Sequence, residues 1–285
     1  MSPNAQFAYS QTTMTPAPQY QHEVTRPPIT VVADPVCVAL HGDALVVADG
    51  YSGAIVRVTG EFQRRIATVD TGAMISANRV GGLAIAPDGT VYASRIGEGQ
   101  VGAIFAFDPE GESRTLANVP QKVWQGALAF DAGAKRLYAT QYMRSRSGAF
   151  DGAVVEVDLA NGTCSNVIDG FLHPTGLALL DNVLVVADAR RRAVFRVDLA
   201  GGRGVFRLQL SADVERPDSL CPCGPDAVLV TSTEDETGIG TVRKIGLDGS
   251  SEIIEQGAWE PRGVVCDGER AYVATRRNGV LVLDL

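Results

Sequence analysis

The side chains of this 285-residue chain best suited to moving protons are one imidazole and two carboxylates. They are His173 in HPTGLALL, Asp218 in RPDSLCP and Glu260 in EPRGVVC. Histidine titrates near neutrality, and a carboxylate in a pocket can be tuned toward it, so each of the three is a candidate general acid or base. Arg216 and Arg262 stand in the same phrases, and Arg79 opens the related phrase RVGGLAI. Guanidinium charge beside such groups would stabilise an oxyanion or hold an anionic substrate. Of the other two histidines, His22 lies in a Gln- and Pro-rich leader and His41 follows the first apolar run. There is no G-x-S-x-G elbow, Walker loop or H-E-x-x-H motif. Acid/base chemistry on a small molecule is therefore the expected class.

These phrases are members of one series. Starts at Asp34, Arg79, Trp124, His173, Arg216 and Glu260 are 45, 45, 49, 43 and 44 residues apart. Each start leads into a second apolar run (ALVVADG, TVYASR, RLYATQY, VLVVADA, VLVTSTE, AYVATR) and a third (AIVRV, AIFAFD, AVVEVD, AVFRVD, TVRKIG, VLVLDL). A fourth, more polar run follows in five of the six units. The runs are short, rich in Val, Ile, Tyr and Phe, and bounded by Gly, Asp or Pro, which is a strand-and-turn pattern. Six units of four strands at this period predict an all-β, six-bladed propeller over residues 29–285. Residues 29–33 are expected to complete the last blade and close the ring, which removes exposed sheet edges. Residues 1–28, rich in Gln, Thr, Pro and Ala, read as a flexible tail.

In such a ring the strand starts and the loops after the second strands share one rim. The starts place Asp34, Arg79, Trp124, His173, Arg216 and Glu260 there; two residues on come Val36, Gly81, Gly126, Thr175, Asp218 and Arg262. The loops add Asp49, Tyr51, Arg95, Tyr142, Asp188, Glu234 and Arg276. The expected site is an axial pocket for a small organic substrate, with His173, Glu260 and Asp218 as catalytic candidates. Asp34, Arg79, Trp124, Arg216, Arg262, Tyr142, Thr175 and Glu234 are the substrate-binding candidates. The stretch QYMRSRSGAFDG, 141–152, is expected to form a lid or specificity loop. Asp49 and Asp188, which end the repeated phrase VVAD, are expected to cap turns.

A net charge of −8 and a pI near 5.0 argue against a nucleic-acid partner. No run of 18 apolar residues occurs and the first 28 residues lack a basic, apolar leader, so a cytoplasmic protein without a membrane partner is expected. The five cysteines are odd in number and mostly lie in apolar runs, which predicts buried thiols.

With the repeats aligned, the chain resembles the SMP-30/gluconolactonase-like and strictosidine-synthase-like propellers, and its units are similar to NHL repeats. The resemblance is carried by PTGLA at 174–178, APDGTVYAS at 86–94, the two VVAD phrases and VFRVDL at 194–199. It implies a lactonase or ester hydrolase whose axial divalent metal, calcium or zinc, is held by Glu, Asn, Asn and Asp. Asp218 matches the aspartate; the asparagine places fall on Gly81 and Thr175, and the glutamate place falls near Ala33, with Asp34 adjacent. The strictosidine-synthase likeness implies instead a metal-independent cyclase, lyase or condensing enzyme using Glu260 or His173. The NHL likeness implies a binding propeller without turnover.

Overall fold

The computed structural model describes residues 28–70, 79–97, 102–116, 119–120, 123–145, 148–201, 203–212, 214–276 and 279–285. Among these residues, strands form six antiparallel sheets and no helix occurs; none is therefore long and apolar enough to cross a membrane. The sheets are six consecutive blades, over residues 35–68, 80–115, 124–171, 174–212, 217–259 and 261–284. Five have four strands in sequence order and the sixth has three. Each inner strand packs on the next, and the sixth, Pro261–Cys266, packs back on the first, Pro35–His41, so the ring is closed.

The apolar runs explain this arrangement. Second strands such as Ala44–Asp49 and Val183–Asp188 are buried on both faces, because each blade is covered by a neighbour on either side. The core is accordingly six layers between adjacent blades. Val46 and Ile55 meet Val91 and Phe105 between blades 1 and 2, and Leu184 and Phe195 meet Tyr138 and Phe171 between blades 3 and 4. Outer strands such as Phe62–Thr68 are largely exposed, which accounts for their polarity.

Closure is slighter in hydrogen bonds than the sequence suggests. Among the described residues only Ile29 pairs with blade 6, exchanging bonds of 2.9 and 3.0 Å with Val280. Val31 and Val32 instead turn their side chains into the layer between blades 6 and 1, so burial completes what backbone pairing does not. The expected tail lies outside the described residues except for Pro28. All five cysteines are free thiols; Cys37, Cys221 and Cys223 are buried, Cys164 and Cys266 half-buried, and Cys223 Sγ lies 3.8 Å from Cys266 Sγ.

Every inner strand carries a bulge just inside the rim. Val36, Gly81 and Thr175 are extra residues between paired neighbours, while Gly126–Ala127, Asp218–Ser219 and Arg262–Gly263 each face a single residue. A bulge frees backbone groups from the ladder, and buried ones need other partners. Buried hydroxyls on the second strands supply them. Thr140 Oγ1 accepts from Ala127 N–H at 2.9 Å, and Ser94 Oγ donates to Gly126 C=O at 2.6 Å. Thr231 Oγ1 accepts from Ser219 N–H at 3.0 Å and donates across to Arg262 C=O at 2.5 Å. Glycine is required where bulges of adjacent blades meet: a Cβ on Gly263 would lie 2.8 Å from Val36 O and from Cys37 Cα. Replacing Thr231 with Val keeps its volume and strands both groups, so Thr231→Val should lower unfolding free energy by about 2 kcal/mol. Urea denaturation will read this against the exposed control Thr59→Val, for which no measurable change is expected.

Candidate functional site

The bulges aim side chains at the axis, and buried aspartates hold the strand heads beside them. Asp188, fully buried, accepts Leu172 N–H at 2.7 Å and His173 N–H at 3.1 Å, while its Oδ1 also takes Arg190 and Arg191 N–H at 3.2 Å. Asp49 does the same in blade 1, taking Ala33 and Asp34 N–H on one oxygen and Tyr51 and Ser52 N–H on the other. The expected caps are thus also clamps, each joining the loop after a second strand to the head of its own inner strand. Arg216 and Glu260, which head blades 5 and 6 before prolines, adopt left-handed backbone (φ 39° and 41°), a conformation costly for long side chains.

Above this rim a cavity of about 590 Å³ opens off-centre toward blades 3 to 5. Tyr142, His173, Thr175, Arg190, Arg216 and Asp218 line it. Below it a shaft of about 70 Å³ runs between all six inner strands, and Gly81, Thr175 and Asp218 border both spaces. Two aromatic groups of the lining, Tyr142 and His173, meet at 4.2 Å; outside the lining, Trp124 stands edge-on to Tyr142 (4.7 Å) and Phe150 stacks on His173 at 6.1 Å. Arg190 caps Phe150 at 3.9 Å.

Asp218 opens to the cavity but is surrounded by the ring of inner strands. Its side chain is itself exposed to the cavity; desolvation by the strands packed around it shifts the carboxyl upward, and Arg262, Arg216 and Arg79 partly oppose that. Burial, and after it the Asp218 charge, pushes the Tyr142 phenol up, so it stays protonated. Burial lowers His173 to about 4; Asp188 raises it and Arg190 lowers it further. The imidazole is therefore neutral at pH 7, not a base poised at neutrality. Cys37, bordering the shaft, is held up at about 12 by burial and by Asp218, with Arg262 opposing, and remains a thiol.

The other expected residues lie outside this cavity. Arg262 Nη1 bonds Asp34 at 3.0 Å and its Nη2 lies 3.4 Å from Glu260, which also takes Arg276 at 3.0 Å on both oxygens. This chain of ion pairs crosses the seam between blades 6 and 1. Burial pushes Glu260 up, but its bonds and charges from Arg276 and Arg262 outweigh that and hold it below the usual range. Glu260 is thus an ion-pair member. Glu234 accepts from Thr237 Oγ1 within its own loop. Trp124 reaches the cavity wall only through Tyr142, and the charge of Arg79 is felt by Asp218.

The residues do not fit the axial metal that the family resemblance implies. Gly81, Thr175 and Asp218 do converge on one space, but Gly81 offers no side chain and the Thr175 hydroxyl donates to Pro217 C=O at 2.7 Å. Asp34 is committed to Arg262. Among the described residues no group of three or more His, Cys, Asp or Glu could hold a metal ion. One carboxylate is far from the six to eight oxygens calcium takes, or the three or four protein ligands of zinc.

The expected lid is mostly sheet. Residues 141–144 and 150–152 extend a hairpin in which Tyr142 pairs with Gly152 and Arg144 with Phe150, so the segment builds a fixed wall; 146–147 lie outside the described residues. Sequence reasoning passed over Arg190 and Phe150. Arg190 follows a VVAD phrase and was therefore due at the rim; Phe150 gave no signal, because its register depends on the hairpin.

No protein-family model matches this chain, and no curated protein matches it in sequence. Solved structures share its fold. A gluconolactonase from Xanthomonas campestris superposes with a TM-score of 0.70 at 14% identity, over 90% of this chain and 87% of that one. The PQQ-bound aldose sugar dehydrogenase of Streptomyces coelicolor gives 0.68 at 17%, over 92% and 97%. A catalytically inactive histidine-to-alanine form of virginiamycin B lyase from Staphylococcus aureus, with quinupristin, gives 0.60 at 14%, over 89% and 81%. The fold is the six-bladed propeller that these proteins share. Neighbours at this identity carry different chemistries, so the likeness speaks for architecture.

His173 also supplies a stability signature. Its folded-state pKa lies below the ordinary 6.5, so the unfolded chain takes up the proton first. The resulting stability is complete above about pH 6.5 and is lost as pH falls toward 4. Ring-proton NMR should place the His173 midpoint near pH 4, and His173→Gln should remove this part of the acid destabilisation. A midpoint at 6.5 would contradict the buried neutral imidazole.

Proposed function

We propose that this chain is an enzyme that hydrolyses a lactone or ester of a small organic molecule by acid/base chemistry that needs no axial metal. The observation that carries the reading is Asp218: a carboxylate with raised proton affinity on the cavity floor, facing a protonated phenol and flanked by guanidinium charge. Asp218 takes a proton from water as it attacks the acyl carbon. Arg216 and the Tyr142 hydroxyl face the same space and stabilise the oxyanion. Protonated Asp218 then returns the proton to the departing alkoxide, which balances the cycle. Neutral His173 serves as a wall of the pocket and a hydrogen-bonding group for substrate. The fold shared with a gluconolactonase supports hydrolysis at the level of architecture.

A base facing a phenolic acid across one cavity is also the arrangement needed to abstract a proton beside a carbonyl. That favours a lyase as the second reading, and the fold shared with virginiamycin B lyase is consistent with it.

A panel of lactones and aryl esters, assayed with and without EDTA, tests the proposal. Turnover should survive chelator, Asp218→Asn should lower kcat by about 10²- to 10⁴-fold, and Glu260→Gln should stay within a few-fold. Stoichiometric metal with chelator-sensitive turnover would overturn the metal-free mechanism. Ring or chain cleavage without uptake of water would move the assignment to the lyase, and binding without turnover of any substrate to a recognition module.

A further inference from the structure

Most charges that line the cavity neutralise one another. Arg216 pairs with Asp235 at 2.9 Å and Arg192 with Glu215 at 3.7 Å. Two ionic side chains of the lining remain without an opposite-charge contact among the described residues: Asp218 on the floor, and Arg190 on the wall. They face different parts of the same space, so the cavity is polarised, with its accessible positive end at Arg190.

The Arg190 guanidinium is also placed with care. Its carbon lies 3.9 Å from the centre of the Phe150 ring, and its backbone N–H is held by Asp188. Stacking on an aromatic face uses the flat side of the guanidinium and leaves its N–H edge free, which is the edge that receives a carboxylate bidentately. Next to it the lining carries two aromatic groups, Tyr142 and His173, tilted by 53° to each other, with Phe150 stacked on His173. Pro174 and Ile96 add apolar area to the lining. A molecule with an acidic group would meet Arg190 beside this aromatic and apolar lining.

We propose that the cavity selects molecules that carry a carboxylate, with Arg190 as the residue that binds that carboxylate beside the aromatic groups of His173 and Tyr142. The inference rests on reading this cavity as the substrate site. It places the ester or lactone carbonyl at the end of the molecule opposite the carboxylate, toward Asp218.

Titration calorimetry with two probes of the same shape that carry no cleavable ester, naphthalene-2-carboxylate and naphthalene-2-carboxamide, tests the charge requirement. The carboxylate should bind at least about 10-fold more tightly than the amide. Arg190→Gln should erase that difference while leaving the amide's affinity unchanged, and Arg190→Lys should restore part of it. Arg190 is an exposed loop residue, so these variants should melt with the wild type, which circular dichroism will check. Equal binding of acid and amide, no binding of either, or a parallel loss of both in Arg190→Gln would overturn the proposal. Hydrolysis of the neutral lactone dihydrocoumarin, measured alongside, separates the two levels. Charge-selective binding without turnover of any ester would sink the hydrolase and leave the ligand class standing; turnover without charge selectivity would do the reverse.

Discussion

The bulge at the head of each inner strand is the constraint on which this molecule turns. A propeller blade brings its innermost strand to the axis, where an unbroken ladder would alternate side chains between the two neighbouring blades and leave none for the mouth. One extra residue breaks that alternation and re-aims a side chain inward. Thr175, Asp218 and Arg262 reach the axis in this way. The cost is a set of unpaired backbone groups in a buried ring, and the hydroxyls of Ser94, Thr140 and Thr231 take them up. Structure and site are therefore one arrangement: the hydroxyl that satisfies the bulge of Ser219 also fixes the backbone of Arg262 in the next blade.

Electrostatics divides the rim into two halves of different character. Across the seam between blades 6 and 1, Asp34, Arg262, Glu260 and Arg276 bind each other. That network sits where backbone closure is limited to Ile29, so charge and apolar burial share the joining of the ring. On the other side, over blades 3 to 5, the groups are left facing an open cavity. Arg262 stands where a guanidinium both occupies Asp34 and lowers the proton affinity of Asp218. A fixed cation of the chain itself thus does part of what a metal would do for the local field, and it does so while removing a carboxylate a metal would need.

The period of about 45 residues made the ring legible, because each unit repeats the same strand lengths and turn residues. Its glycines were legible as architecture too, and Gly263 shows why: no side chain fits between adjacent bulges. The alignment also brought Asp218, His173, Thr175, Arg216 and Tyr142 to one rim, where they do line one cavity. Partnership was legible only in part. An ion pair of Glu260 with Arg262 was readable from their shared phrase, but nothing in the sequence says that Arg262 also reaches Asp34, 228 positions away, or that Arg276 joins it on Glu260. The basicity of His173 was unreadable for the same reason, since it is set by the rings of Tyr142 and Phe150 and the charge of Arg190. The 141–152 segment misled because its Ser and Gly residues suggest a loop, whereas its flanks continue the pairing of the hairpin.

The chemistry proposed for the mouth depends on one carboxylate, Asp218, whose proton affinity the surrounding strands shift upward. Carbon-13 NMR of protein labelled at its aspartate carboxyls, with Asp218→Asn to assign the signal, measures that property. Asp218 should titrate above the usual carboxylate range, and its midpoint should coincide with the acid limb of kcat/KM. A carboxyl that titrates at or below the ordinary value, or a rate profile indifferent to it, would contradict this view of the site.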